Sequence, residues 1–207
     1  MNLLRHLRGW SLVRTSLLLI AALALALLWL DGFSVDAVRA VIRLTARTSL
    51  VLFLLAFTAA GAFRLWPGGW TRWQRANRRY LGLAFAGSHA LHALAITAFA
   101  RMDPAVYHSR VKLMTYVLSG LGYVFILAMA ATSFDRTAAW IGPRAWKVLH
   151  VTGAYYLWLS FMNSFLKRAP GDSFYWPFVV VLVAAMMIRV AARLRFRFSA
   201  PKPVAAS

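Results

Sequence analysis

Charged positions leave the chain divided into long stretches that carry none. Uncharged runs cover 15–30, 48–63, 80–100, 113–134, 148–166 and 173–188, with lengths of 16, 16, 21, 22, 19 and 16 residues. A helix that crosses a bilayer needs about 20 apolar residues, with about 17–25 usual. The shorter runs qualify because Arg and Lys side chains at their ends reach back toward the headgroups. The pattern predicts an all-α membrane protein, a six-transmembrane-helix bundle. It forms a single domain over 1–198, followed by a short disordered tail at 199–207 that contains Ser199-Ala200-Pro201-Lys202-Pro203. A signal peptide is the competing reading of the first run. Against it, Asp31-Gly32-Phe33 follows Leu30 where a small-x-small cleavage site would be expected.

Composition agrees with the pattern. Hydrophobic residues make up 61% and charged residues 14%, against about 45–50% and about 25% in soluble domains. Such a chain would expose large apolar patches in water, and it is too apolar for intrinsic disorder. The net charge of +19 comes from 24 Lys and Arg against 5 acids, all Asp. With the N-terminus inside, sixteen basic residues fall on the inner side and eight on the outer. Positive charge stays inside, so both termini are expected in the cytoplasm. The charge is then topogenic, and nucleic acid is not the expected partner. Trp66, Trp70, Trp73, Tyr107 and Trp140 lie near run ends and read as interface anchors. The Ala, Arg and Trp content fits a multi-pass protein of the bacterial inner membrane.

The absent residues narrow the chemistry. There is no Cys, which removes thiolate metal sites, iron–sulfur clusters and disulfides. No Asp, Glu, Lys or Arg lies inside a run, which counts against a carboxylate-driven transporter. No glycine-rich nucleotide motif occurs, and no segment is long enough for a soluble catalytic domain.

Histidines are the ionisable residues that enter the runs, along with several tyrosines. His89 and His92 lie in the third run, and His150 lies at the start of the fifth. Neutral imidazole binds haem iron axially without adding charge. Gly82, Ala86, Gly87 and Ala90 leave small side chains beside the first two histidines. The simpler reading is that each histidine hydrogen-bonds a neighbouring helix. His89 and His92, three residues apart, share a helix face and are poorly placed to bind one iron from opposite sides. His6 and His108 lie outside the runs and read as solvated.

The ordered motifs from about Ala46 to Leu166 resemble a known family. They are Ala46-Arg47-Thr48-Ser49-Leu50, Arg78-Arg79-Tyr80-Leu81-Gly82-Leu83 followed by His92, Ala131-Thr132-Ser133, Gly142, and Trp146-x-x-Leu149-His150. This stretch is similar to the haem-binding membrane subunit of the bacterial periplasmic methionine sulfoxide reductase system, within the ferric-reductase-like transmembrane group. The resemblance implies a b-type haem held by His92 and His150. The implied role is an electron-transfer subunit rather than a stand-alone enzyme. It would pass electrons from a cytosolic flavin reductase or a quinol to a periplasmic reductase subunit or to ferric iron. A flavin is implied by resemblance only. Arg47, Arg79, Arg78, Arg101 and Lys112 are candidate partners for haem propionates, although each also reads as a topology or headgroup residue.

The sequence departs from that family where it matters most. The family's second fifth-helix histidine falls at Asn163, its tyrosine falls at Ala154, and its Thr-Pro falls at Ala60-Gly61. At about 1.5 Å per residue, His92 stands about 20 Å above Arg79. Asn163 stands about 24 Å above Lys147, but His150 only about 4–5 Å. Three arrangements answer the loss. Haem bridges His92 or His89 to His150 at a lower level, Met162 replaces the ligand, or haem is five-coordinate or absent. The lower bridge is preferred because His89, not a family position, lies one turn closer to His150. A haem-free scaffold or assembly partner is the competing function.

Overall fold

The computed structural model describes residues 7–199, without the side chains of Arg110 and residues 196–199. The expectations for His6 and for the tail at 200–207 lie outside the described residues. Among the described residues eight α-helices follow one another: α1 Trp10–Leu30, α2 Val35–Leu65, α3 Gly69–Ala76, α4 Arg78–Met102, α5 Pro104–Arg110, α6 Leu113–Ala131, α7 Asp135–Leu166 and α8 Trp176–Ser199. A single turn of tighter helix, Ser173–Tyr175, precedes α8, and no strand occurs among the described residues. Among the described residues five segments are long and apolar enough to cross a membrane: α1, α2, α4, α6 and Ser173–Arg195. Large apolar side chains face outward on these helices, with Leu18 71%, Leu113 79% and Leu127 68% exposed. Lipid is the solvent in which such a surface is stable. The protein is a membrane-embedded helical bundle.

The helices are longer than the uncharged runs because a charge ends the run without ending the helix. α2 has 31 residues and so measures about 46 Å, against a hydrocarbon core of about 30 Å. Its first thirteen residues, expected as a loop, are an amphipathic extension. Ser34 caps them by accepting from the Ala37 N–H at 3.1 Å, which satisfies an N–H with no partner inside the helix. Arg39, Arg43 and Arg47 recur every four residues along this extension, while Ala37, Val38, Val41 and Thr45 are buried. α7 is broken near its start. Gly142 takes φ 77° and ψ 162°, a conformation open to glycine and hostile to side chains. Pro143 then restarts the helix at a position where its missing N–H costs nothing.

α3 gathers three helices at one end of the bundle. Trp73 Nε1 donates to the Leu7 carbonyl at 2.8 Å. Gln74 Nε2 donates to the Leu55 carbonyl at 2.8 Å and to Thr58 Oγ1 at 3.0 Å. Asn77 accepts from the Gly9 N–H and donates to the Trp73 carbonyl, both at 2.9 Å. Trp73 is therefore no interface anchor: it is 8% exposed and locked by its indole N–H. Trp66, Trp70 and Trp140 are exposed as expected of anchors. Because α2, α4, α6, α7 and α8 reverse direction in turn, Gly9 and Arg195 both lie at the α3 end; Arg195 reaches the Leu65 carbonyl at 3.4 Å.

The core runs along α2. Leu50, Phe53 and Phe57 pack with Leu81, Ala84 and Phe85 of α4, with Leu157, Phe161 and Phe165 of α7, and with Leu182 of α8. Gly61 lets α8 approach closely, since a Cβ there would meet the Ile188 carbonyl at 3.2 Å. Gly87, expected to leave room beside the histidines, instead seats Leu17 of α1, whose methyls would lie 2.7 Å from a Cβ. Replacing the buried Asn77 strands the Gly9 N–H, while the Trp73 carbonyl keeps the Asn77 backbone N–H, so Asn77→Ala is expected to lose about 1–3 kcal/mol. Arg72→Ala, on an exposed position of α3, should stay within about 0.5 kcal/mol. Thermal unfolding of both variants in detergent checks the contrast.

Candidate functional site

The seam between α2 and α4 is lined with small hydroxyl side chains. Ser88 Oγ lies 2.9 Å from Ser49 Oγ and 3.1 Å from Thr48 Oγ1. One turn further along α4, His92 Nδ1 lies 3.0 Å from Thr45 Oγ1. Thr45, Ser49 and Ser88 are wholly buried. These groups sit on one stripe of each helix because positions four residues apart share a face.

The threonine hydrogen bonds favour one tautomer at each ring. With its one hydroxyl proton donated to the Val41 carbonyl at 2.7 Å, Thr45 accepts from His92, an arrangement in which the neutral ring carries its proton on Nδ1 and a lone pair on Nε2. Holding the inner nitrogen by a hydrogen bond is how proteins orient a histidine that ligates metal through the other.

His150 is arranged the opposite way. Thr132 Oγ1 donates to the Ala128 carbonyl at 2.7 Å and lies 3.1 Å from His150 Nε2. The neutral ring therefore donates through Nε2, and its lone pair is on Nδ1, the nitrogen nearer the backbone. Trp146 stacks on this ring with centroids 4.2 Å apart, and its indole donates to the Thr132 carbonyl at 3.0 Å. His150 is thus occupied in fastening the foot of α7 to the end of α6.

The histidines of α4 and α7 do not come together. His89 packs against Phe161 with centroids 6.1 Å apart. Phe161 stands eleven residues along α7 from His150, which is about 16 Å of helix. Two axial imidazoles on one iron each sit about 2 Å from it. A haem strung from His89 or His92 to His150 does not fit this arrangement. The expected lower bridge fails because His89 faces the upper half of α7, where the sequence has Phe161, Met162 and Asn163. Asn163 is exposed on the outside of the helix, while Met162 is partly buried against the core. A haem held by His92 alone does fit the donor set.

Two buried polar atoms beside His92 have no partner. His89 Nδ1 and Tyr123 Oη are unpaired, and their rings lie 5.1 Å apart. The His89 and His92 rings are also 5.1 Å apart, and Phe85 closes the group at 5.5 Å from His89. Unsatisfied buried groups are rare enough that a pair of them marks a place for a further polar molecule or ligand. No three His or Asp residues gather anywhere among the described residues.

Two of the candidate propionate partners are engaged elsewhere. Arg79 pairs with Asp135 at 3.0 Å, holding the start of α4 to the start of α7. The Arg47 guanidinium lies 4.7 Å from the centre of the Phe174 ring. His108 is exposed beside Tyr107, as expected of a residue outside the spans. Thr45 and Tyr123 were not foreseen as site residues. Thr45 stands between Arg43 and Arg47, outside the uncharged runs, so its only signal was the three- and four-residue spacing to the hydroxyls of Thr48 and Ser49, and Tyr123 was one of several tyrosines in the runs.

No family model matches the chain, and no curated protein or solved structure matches it. The opposed tautomers are directly measurable. With 15N-labelled histidine, NMR is expected to show His92 protonated on Nδ1 and His150 on Nε2. Thr45→Val should shift only the first signal and Thr132→Val only the second. The same tautomer at both rings would contradict the assignment.

Proposed function

We propose that the chain is a six-span protein of the bacterial inner membrane that holds one b-type haem in the outer half of its bundle, with His92 as the single protein ligand, and passes electrons outward. The observation that carries this reading is the Thr45–His92 hydrogen bond at 3.0 Å, which leaves Nε2 with its lone pair among buried polar groups that lack partners. A bare metal ion asks for three or four protein ligands, whereas haem brings four nitrogens of its own and asks for one or two. The scarcity of ligating side chains therefore favours haem over a bare metal ion. α7 is the sixth span in this reading, since Tyr155, Tyr156, Trp158 and Asn163 lower its hydropathy but it is long enough to cross.

Bound there, haem supplies a reversible one-electron couple. The chain's own residues do the rest. Thr45 holds the ring of His92 at a fixed angle, and the hydroxyl seam excludes the looser packing that would let that ring turn. Phe85, Phe161 and Phe53 keep water from the site, which tunes a redox couple through burial. His89 and Tyr123 offer hydrogen bonds to a second axial molecule or to the haem edge. The basic excess at the α3 end supports a cytoplasmic position for that end and for both termini. The electron donor is then a cytosolic flavin reductase or a membrane quinol, and the acceptor a periplasmic reductase subunit, as in the family the motifs resemble. Any flavin belongs with the donor.

A specific observation favours a second reading. His150 is committed to Thr132, and the imidazole beside His92, that of His89, stands on the same helix rather than across from it. A chain that had given up haem while keeping its scaffold would look this way, and it would act as an assembly partner for another membrane protein.

Purified protein assayed for haem by pyridine haemochrome separates the two. The haem reading expects about one haem per chain with a reduced b-type spectrum. His92→Ala should abolish it, while His150→Ala should lower stability and leave the spectrum in place. No haem after expression with ample supply would leave the scaffold reading standing.

A further inference from the structure

A cluster of cations on the inner half of the bundle has no acidic partner. Arg189 lies 13 residues into α8, within the segment Ser173–Arg195 that is apolar enough to cross a membrane. Its guanidinium sits over Phe57 at 4.1 Å and over Tyr155 at 5.1 Å, and one of its nitrogens donates to the Phe57 carbonyl at 2.6 Å. Its Nε is buried and has no partner. Arg193, one turn further on, lies 5.4 Å from the same Tyr155 ring. Among the described residues no carboxylate comes within 4.0 Å of these two arginines.

Charges of one sign inside a membrane are rare and repel each other. Stacking on aromatic faces offsets part of that cost, and a bound anion offsets the remainder. The surroundings indicate which anion. Val190 and Leu194 on α8 and Val148 and Val151 on α7 are exposed, so the cluster is bordered by apolar surface. A soluble anion has no use for that surface, but a lipid's acyl chains do. Basic pockets between membrane helices on the cytoplasmic side are the usual seats of anionic headgroups.

We propose that Arg189 and Arg193 form a specific site for the phosphodiester headgroup of an anionic phospholipid, whose acyl chains lie along α7 and α8. The guanidinium of Arg189 donates to the phosphate through the nitrogens that the Phe57 carbonyl leaves free, and Arg193 closes on it from the aqueous side. The site stands apart from the His92 cluster and needs no cofactor.

The test uses the full chain, purified in detergent and stripped of lipid. Phosphatidylglycerol, phosphatidylcholine and inorganic phosphate are each added, with binding read by native mass spectrometry and by the shift in melting midpoint. Phosphatidylglycerol is expected to bind saturably and raise the midpoint, and the other two are not. Arg193→Gln should weaken that binding about fivefold. Its side chain is exposed and contacts only a ring face, so the variant keeps its fold. Arg189→Gln with Arg193→Gln should abolish saturable binding. Arg72→Gln with Arg144→Gln, an equal loss of charge at the same end, should bind as the unaltered protein does. An equal loss in that control pair, or equal binding of phosphatidylcholine, would overturn the proposal. Inorganic phosphate matching phosphatidylglycerol would also overturn it, by identifying a soluble-anion site.

Discussion

The contact between α2 and α4 is the constraint from which the rest of this bundle is built. Lipid is as apolar as leucine, so membrane helices gain little by burying apolar surface against each other. They associate through close packing and hydrogen bonds. Here Thr45, Thr48 and Ser49 meet Ser88 and His92 along one buried line. α3 closes the lower end of the same line by joining Gln74 to Leu55 and Thr58. With α2 and α4 fixed, α7 and α8 pack on the Phe53–Phe57 face, and the orientation of His92 follows from the backbone rather than from its own rotamer.

Much of the helix arrangement could be read from the sequence, and the site could be read only in part. An uncharged run overlapped each of the long helices, five of which, among the described residues, are apolar and long enough to cross a membrane. Their true ends escaped, since the basic stripe Arg39, Arg43 and Arg47 ends an uncharged run but continues the helix on its wet side. Histidines stood out as rare groups in apolar runs. What each ring does was hidden, because Thr45 and His92 are 47 positions apart and pair only through tertiary packing. Trp73 was misjudged for the same reason. Its place near a run end suggested the interface, whereas its indole was claimed by a carbonyl 66 positions away.

The basic residues separate into different physical roles despite their common sign. Arg79 is neutralised by Asp135 and ties two helices together. Arg47 rests on an aromatic face at the opposite end. Arg189 is different, since its aliphatic and planar parts are accommodated by Phe57 and Tyr155 while its charge is not cancelled. The net charge of +19 is therefore a sum over sites with unlike environments. The sidedness of the chain and the chemistry of its interior draw on separate parts of that sum.

α7 carries Tyr156 and Trp158 in its middle, and their polar tips are received by backbone carbonyls of other helices. Tyr156 donates to Leu118 of α6 at 2.6 Å, and Trp158 donates to Leu182 of α8 at 2.9 Å. An unpaired polar group in hydrocarbon is costly. The two acceptors differ in age during synthesis: Leu118 has already emerged when α7 is made, and Leu182 has not. α7 thus packs first on α6 and completes its seating only when α8 arrives. α8 is in this sense the closing step of assembly, and a nascent chain stopped before it would leave the Trp158 indole N–H without the carbonyl that receives it.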